Sequence, residues 1–504
     1  MSLDSSAENP TSPPYTLSAV PLLLVTLLLC SLAGAMAWGI RGQYGHETGA
    51  MIFGPLVGFS IVMLYLPQAN TLKGVRVVAL LSMAIGIGGS MSYGETVGLT
   101  HDTAVHQTLV IDEAGEETYV KEWNNEAYWW GMLGLGIKGG LWLGFAGLFL
   151  GVGLGRKTYS PMELLGLILV GVLLLIVGIW LFNTPFEPEN RILPRIYFSD
   201  HWRWEPAEFV NPRPENWGGV LLPFLAAMAY LQFIKRDRLP VLLGFWGLVG
   251  GLGFPIGQSL QAAMAFDVAS FREYFPILYG INNWNMMECT FGFVAGGVLG
   301  FGVWLHRGRI AQTEPEDNVV LSLSWEVCLL VAYLYLMLVA WFLEDTQFGQ
   351  FYEYGLVMAI LPLVGVMGGR FWPYLYAFPI VAMPIAVKTF RAVAIAHNDQ
   401  PPRVPTDMGW LLIVTFPLLL LTIFALSWAK PENDRVRASY FGACGLLASS
   451  ACYFILNATF LGNPLSWLEG WRLQTLSGMI YIIAWVVLSL AALFVVLKPN
   501  GKQL

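Results

Sequence analysis

Charged and amide side chains gather at three places in this chain, each abutting a long apolar run. Arg41-Gly-Gln43-Tyr-Gly-His46-Glu47 follows the first run. Tyr93-Gly-Glu95 follows the third and continues to His101-Asp102, and Asn282-Asn283-Trp-Asn285-Met-Met-Glu288 opens the eighth. An imidazole beside a carboxylate can carry or orient a proton. A guanidinium can clamp a carboxylate or phosphate through two parallel hydrogen bonds, and amides donate and accept at once. These groups are costly at bilayer depth and are kept mainly where they face a cavity, a partner or a reaction.

Lys138 is the sharpest single residue. If its helix begins near 127, helical rise puts it roughly 16 Å down, close to mid-membrane, among glycine and apolar neighbours. The partners the sequence offers for it are Glu95, Glu47 and Glu288. Gln258 follows Gly253-Phe-Pro255-Ile-Gly257, where a mid-span proline between glycines predicts a broken helix of the kind that binds solutes. Blander roles compete at each position. Glu47 can serve as a helix cap, Glu95 as a tie to Arg41 or Lys138, and the glycines from Gly131 to Gly151 as close-packing positions. His101 and His106 with Asp102 lack diagnostic metal-site spacing, and His46-Glu47 has no second histidine at metalloprotease distance. No metal and no cofactor is expected.

The elements that position these residues are transmembrane helices. Of 504 residues, 56% are hydrophobic and 12% charged, and the mean hydropathy is +0.59, whereas a soluble domain carries about 25% charge. Apolar windows long enough to cross a bilayer start near 16, 48, 74, 127, 161, 218, 240, 285, 321, 353, 374, 409, 438 and 474. The expected fold is therefore an all-α polytopic bundle of about fourteen spans. With both termini cytoplasmic, the inner loops carry Lys73, Arg76, Arg156, Lys157, Lys235, Arg236, Arg238, Arg307, Arg309, Lys430, Arg435 and Arg437, a positive-inside pattern. The plasma (inner) membrane is the expected location. Lys388, Arg391 and Arg403 break the pattern, so the helix count between 353 and 409 is its weakest part.

Residues 1–15 read as a disordered cytoplasmic N-terminus. Residues 16–305 form an eight-span glycine-rich half with an outward-facing polar site, 306–320 a cytoplasmic linker, and 321–504 a six-span half read mainly as scaffold. Ala35-Met-Ala37 resembles a signal-peptide cleavage site, but no Lys or Arg precedes the apolar core. Approximate parallel repeats lie within the first eight spans: Asn124, Asn125 and Trp129 open one helix and Asn282, Asn283 and Trp284 another. The outer loops are aromatic at Ile196–Trp204 and Phe271–Phe275, which predicts interfacial segments. Thr108–Val120 predicts a β-hairpin.

No basic stripe suggests nucleic acid, and no complete phosphate-binding loop is present. Cys444 and Cys452 stand roughly 12 Å apart along one helix, too far for a disulfide. The expected partners are the lipid bilayer and either a small polar solute or a lipid-linked substrate. The leading expectation is a secondary transporter for a small polar or anionic solute, with proton coupling at Glu95 or Glu288. The runner-up is a membrane glycosyl- or acyltransferase using a lipid-linked donor, with Glu47 or Glu95 as base and His46 or His101 as proton shuttle.

Overall fold

A backbone surrounded by hydrocarbon must satisfy its N–H and C=O groups within its own segment, so apolar runs of this length become helices. A computed structural model of the chain describes residues 18–45, 49–111, 115–199, 202–206, 214–312, 319–342, 362–396, 401–460 and 475–497. His46, Glu47 and most of the window near 353 lie outside them.

The N-terminal helices are α1 (Ala19–Arg41), α2 (Phe53–Tyr65), α3 (Thr71–Gly89), α4 (Gly94–His101), α5 (Asn125–Leu154), α6 (Pro161–Gly178), α7 (Trp217–Ala229), α8 (Arg238–Gly250) and α9 (Gly253–Phe266). Two short helices, α10 (Val268–Tyr274) and α11 (Pro276–Tyr279), precede α12 (Asn283–Leu305) and α13 (Leu323–Phe342). Then come α14 (Leu363–Gly368), α15 (Trp372–Leu375), α16 (Val381–Ala394), α17 (Thr406–Gly409), α18 (Phe416–Trp428), α19 (Ala438–Phe460) and α20 (Thr475–Val496). Among the described residues, 11 helical segments are long and apolar enough to cross a membrane. The chain is an integral membrane protein with an all-α bundle.

The core sits between two helix pairs, α1 along α12 and α5 along α8. Glycine permits both approaches. A Cβ on Gly34 would stand 2.1 Å from the Gly292 carbonyl oxygen, and one on Gly147 would stand 2.0 Å from that of Leu243. Enclosure differs sharply around the bundle: 94% of the apolar window in α3 is buried, against 11% in the segment containing α6. Hence α3 is a central helix, and α6 is a peripheral one facing lipid.

Local chemistry sets the helix starts near the site. The side chains of Asn124 and Asn282 accept backbone N–H groups at the openings of α5 and α12, satisfying donors a helix N-terminus leaves unpaired. The expected hairpin is present: β1 (Gln107–Ile111) pairs antiparallel with β2 (Glu117–Lys121), Thr108 opposite Val120.

Three expectations need correction. Lys73 and Arg76 are not loop residues, because the Asn70 side chain caps α3 and takes the Lys73 N–H, starting the helix at Thr71. The helix break near Pro255 falls instead at Gly251-Leu252, a tight turn held by Leu252 N–H to the Val249 carbonyl at 3.1 Å. Pro255 sits in the first turn of α9, where its missing N–H costs least. The aromatic segment 196–204 does not lie wholly at the interface: Phe198 and Trp202 are buried, with Phe198 against Trp217 at a centroid distance of 4.8 Å.

Candidate functional site

The end of α1 delivers Arg41 into a polar cavity of about 300 Å³. Its Nη1 donates to Glu288 Oε1 at 2.7 Å, and its guanidinium carbon lies 5.1 Å from the centre of the Tyr93 ring. Asn285, one turn before Glu288, donates from Nδ2 to the Gly39 carbonyl at 3.2 Å and to Glu288 Oε2 at 3.4 Å. Gly42 is required here, since a Cβ at that position would stand 2.2 Å from Glu288 Oε2. The opening turns of α12 and the last turn of α1 thus form one charged floor.

Gln43, Gly45, Asn282 and Trp284 continue the lining, joined by Lys388 of α16 and by Ser477 and Tyr481 of α20. Asn282, Trp284 and Lys388 are exposed, whereas Arg41, Asn285, Glu288, Ser477 and Tyr481 are buried. Tyr44 ties the 42–45 turn to α16 by a 2.9 Å hydrogen bond between its hydroxyl and Thr389 Oγ1. Two lining atoms, Gln43 Oε1 and Ser477 Oγ, are buried and have no hydrogen-bond partner among the described residues. Such atoms are expensive unless something else satisfies them, so the cavity is built for polar contents.

One turn below the charged floor the same helices turn aromatic. Trp38 precedes Arg41 by three residues, and Phe291 follows Glu288 by three; their ring centroids lie 4.5 Å apart. Trp38 also packs on Trp142 at 5.0 Å and Phe53 at 5.6 Å. Phe291 stacks on Phe254 at 4.7 Å. All five rings are fully buried, which closes the cavity beneath the ion pair with a dry plug.

Lys138 belongs to a different cluster. Its Nζ pairs with the Glu215 carboxylate, an acid outside the three the sequence offered, both side chains being fully enclosed. Glu215 also accepts the N–H of Glu95 at 2.8 Å and of Thr96 at 3.1 Å. A carboxylate on the first N–H groups of α4 is a cap as well as a counter-charge, so this group fastens residues 214–216 to α4 and α5. Glu95 is buried beside it and does not line the polar cavity.

Gln258 forms a third group, donating from Nε2 to Thr100 Oγ1 at 2.7 Å and lying 3.3 Å from His101 Nδ1. Asp102 begins the turn after α4, accepting the Ala104 N–H at 3.2 Å. His106 has both ring nitrogens engaged, Nε2 donating to the Leu99 carbonyl at 3.1 Å and Nδ1 accepting the Asn124 N–H at 3.0 Å. Burial holds its pKa below the ordinary histidine value. His106 is thereby a neutral strut between α4 and α5.

The cavity therefore brings together Arg41, Gln43, Tyr93, Asn282, Asn285 and Glu288, and leaves out Glu95, His101, Asp102, Lys138 and Gln258. Sequence reasoning missed the contributions of Lys388, Ser477 and Tyr481. Membership of the trio Lys388, Arg391 and Arg403 that breaks the inner-loop charge pattern was the available signal for Lys388; a serine and a tyrosine within an apolar run carried none. Glu215 was visible in the sequence only as the acid before Asn216-Trp217, where α7 opens.

A second cavity, about 350 Å³ and almost wholly apolar, lies between α3, α5, α6 and α7. It shares no lining residue with the polar one. No protein-family model, curated protein or solved structure matches the chain.

Proposed function

We propose that this membrane protein is a secondary transporter for a small polar or anionic solute, bound in the Arg41–Glu288 cavity. One observation carries the reading: the cavity takes its lining from α1, α12, α16 and α20, and holds buried polar atoms with no hydrogen-bond partner among the described residues. A polar site between helix groups, open at the helix ends and closed beneath by packed rings, suits alternating access.

In this mechanism Lys388 at the rim and Arg41 at the floor attract the anion, and Asn282, Asn285 and Gln43 orient it. Arg41, Lys388 and Glu288 are the charged residues lining the cavity among the described residues, and they sum to one positive charge. An anion that takes the Arg41 guanidinium competes with Glu288 for it. A buried carboxylate that loses its counter-charge is neutralised by a proton, which couples proton and solute in one step. Separating the Trp38 and Phe291 rings would open the opposite face.

The lipid-linked transferase reading needs an apolar route into the polar site. The apolar cavity is lined by other residues throughout, which favours the transporter. The deciding experiment uses purified protein in liposomes under an imposed pH gradient, with labelled monocarboxylates, dicarboxylates, amino acids and sugars. Accumulation of one class is expected, with Glu288→Gln abolishing accumulation but keeping downhill exchange, because the amide keeps shape and loses titration. No flux in any arm, together with turnover of a lipid-linked donor, would retire the reading.

A further inference from the structure

Gln258 and Gln261 stand three residues apart on one face of α9, and both are fully buried. The Thr100 hydroxyl gives its proton to the Val97 carbonyl at 2.7 Å, so toward Gln258 it can only accept. That fixes the Gln258 amide, with Nε2 on Thr100 and Oε1 turned away. Gln258 Oε1 and both polar atoms of the Gln261 side chain are buried without a hydrogen-bond partner among the described residues. Buried polar atoms are normally satisfied, so this face of α9 is made for a polar partner.

The two amides lie behind the wall of the polar cavity. Tyr93 lines that cavity and packs edge-on against Phe254 at 4.8 Å; Gln258 is about one turn further along α9. Helices α9 and α12 run antiparallel, with Gly253 against Phe291 and Val294, and Gly257 against Met287. The same register brings Gln261 level with Trp284. Trp284 lines the cavity and meets the His101 ring at 6.0 Å, and His101 Nδ1 lies 3.3 Å from Gln258 Nε2. Its indole therefore stands between the cavity and the amides. At 42% exposure, it can turn toward the rim with little loss of packing.

We propose that Trp284 is a movable partition and that the solute is a hydroxylated carboxylate of the sugar-acid class. This deepens the transporter reading and rests on it. The carboxylate takes Arg41 from the cavity side. With Trp284 turned aside, the hydroxyl groups reach Gln258 Oε1 and the Gln261 amide, because a hydroxyl donates to the first and both donates to and accepts from the second. A solute without hydroxyls leaves those atoms unpaired, which is how a buried polar site rejects an analogue.

Gluconate and hexanoate share chain length and charge and differ in their hydroxyls, so their relative affinity for the purified full chain tests this. Wild type should bind gluconate more tightly by about tenfold or more, and Gln261→Leu should remove most of that preference. Hexanoate binding should stay near wild type. Gln261→Leu should fold, because it replaces an amide without a hydrogen bond by an apolar group, and its melting temperature should match or exceed wild type. Gln261→Cys, in a background lacking the native cysteines, reports the partition. It should resist a small water-soluble thiol reagent while Trp284 is present and react once Trp284→Ala removes the ring, at an unchanged melting temperature. Equal affinity for the two acids would overturn the proposal. So would an unchanged preference in Gln261→Leu, which would assign the amides to buried water alone, or a thiol reactivity indifferent to Trp284→Ala. Transport of another solute class without gluconate binding would overturn this proposal and leave the transporter reading standing; absence of flux in every class would overturn both.

Discussion

Arg41 Nη1 lies 2.7 Å from Glu288 Oε1 across 247 residues of sequence, and both side chains are buried. The pair joins the end of α1 to the start of α12 and forms the floor of the polar cavity. It is both a structural tie and the place where an anionic solute competes for a guanidinium.

Breaking this pair from one side should cost more than removing it entirely. A buried charge left alone is destabilising by about 3 kcal/mol or more, whereas loss of both charges is far milder. Arg41→Met or Glu288→Gln singly should lower the unfolding temperature in detergent, and the double variant should recover much of it while remaining inactive. Additive losses would mean that the two side chains do not interact. Gly42→Ala should mimic Glu288→Gln in flux, because its Cβ would occupy the space of Glu288 Oε2.

Lys138 should matter for stability before it matters for transport. Lys138→Met leaves the Glu215 carboxylate enclosed with only neutral donors, which predicts a loss of about 3 kcal/mol and earlier proteolysis of the 184–216 loop. The solute affinity of the protein that remains folded should stay near wild type. Selective loss of binding with an unchanged melting curve would instead place Lys138 in the solute site.

The β-hairpin should loosen in acid. His106 has a folded pKa below its unfolded value of about 6.5, so its contribution is full above that value. It is lost as pH falls through the window beneath, where only the unfolded histidine takes up a proton. Protonation would also end its role as acceptor for the Asn124 N–H. Amide hydrogen exchange in 107–111 and 117–121, corrected for intrinsic rate, should accelerate between pH 7.5 and 5.5. His106→Gln should remove most of that pH dependence.

Orientation can be read with single cysteines in a background lacking the native five. The loop charges predict that Thr118→Cys and Arg203→Cys react with an impermeant maleimide in intact cells, while Arg236→Cys does not. All three positions are exposed, so a silent position reports its side of the membrane. The reverse labelling pattern would invert the map.

The sequence by itself determined the helices and the polar stretches between them. Hydrocarbon admits only internally hydrogen-bonded backbone, so apolar length is nearly sufficient to place a span. Described helices begin within a few residues of the windows read near 127, 161, 218, 285 and 438. Asn124 and Asn282 announced their helix starts because capping is a local interaction, and glycine runs announced close packing for the same reason. Arg41, Asn285 and Glu288 stood out because charge beside apolar sequence is costly.

Only the tertiary structure decided which of these groups meet. Lys138 had three acidic residues in reach by sequence and Arg41 shared one of them, Glu95, and depth along a helix says nothing about which face a neighbouring helix presents. Packing of α1 on α12 gave Glu288 to Arg41, and the approach of residues 214–216 to α4 and α5 gave Glu215 to Lys138. Lys388, Ser477 and Tyr481 entered the cavity from helices that read as scaffold. Their side chains became site residues through the azimuth of α16 and α20 against α1, and helix rotation in a bilayer is set by packing and not by hydrophobicity.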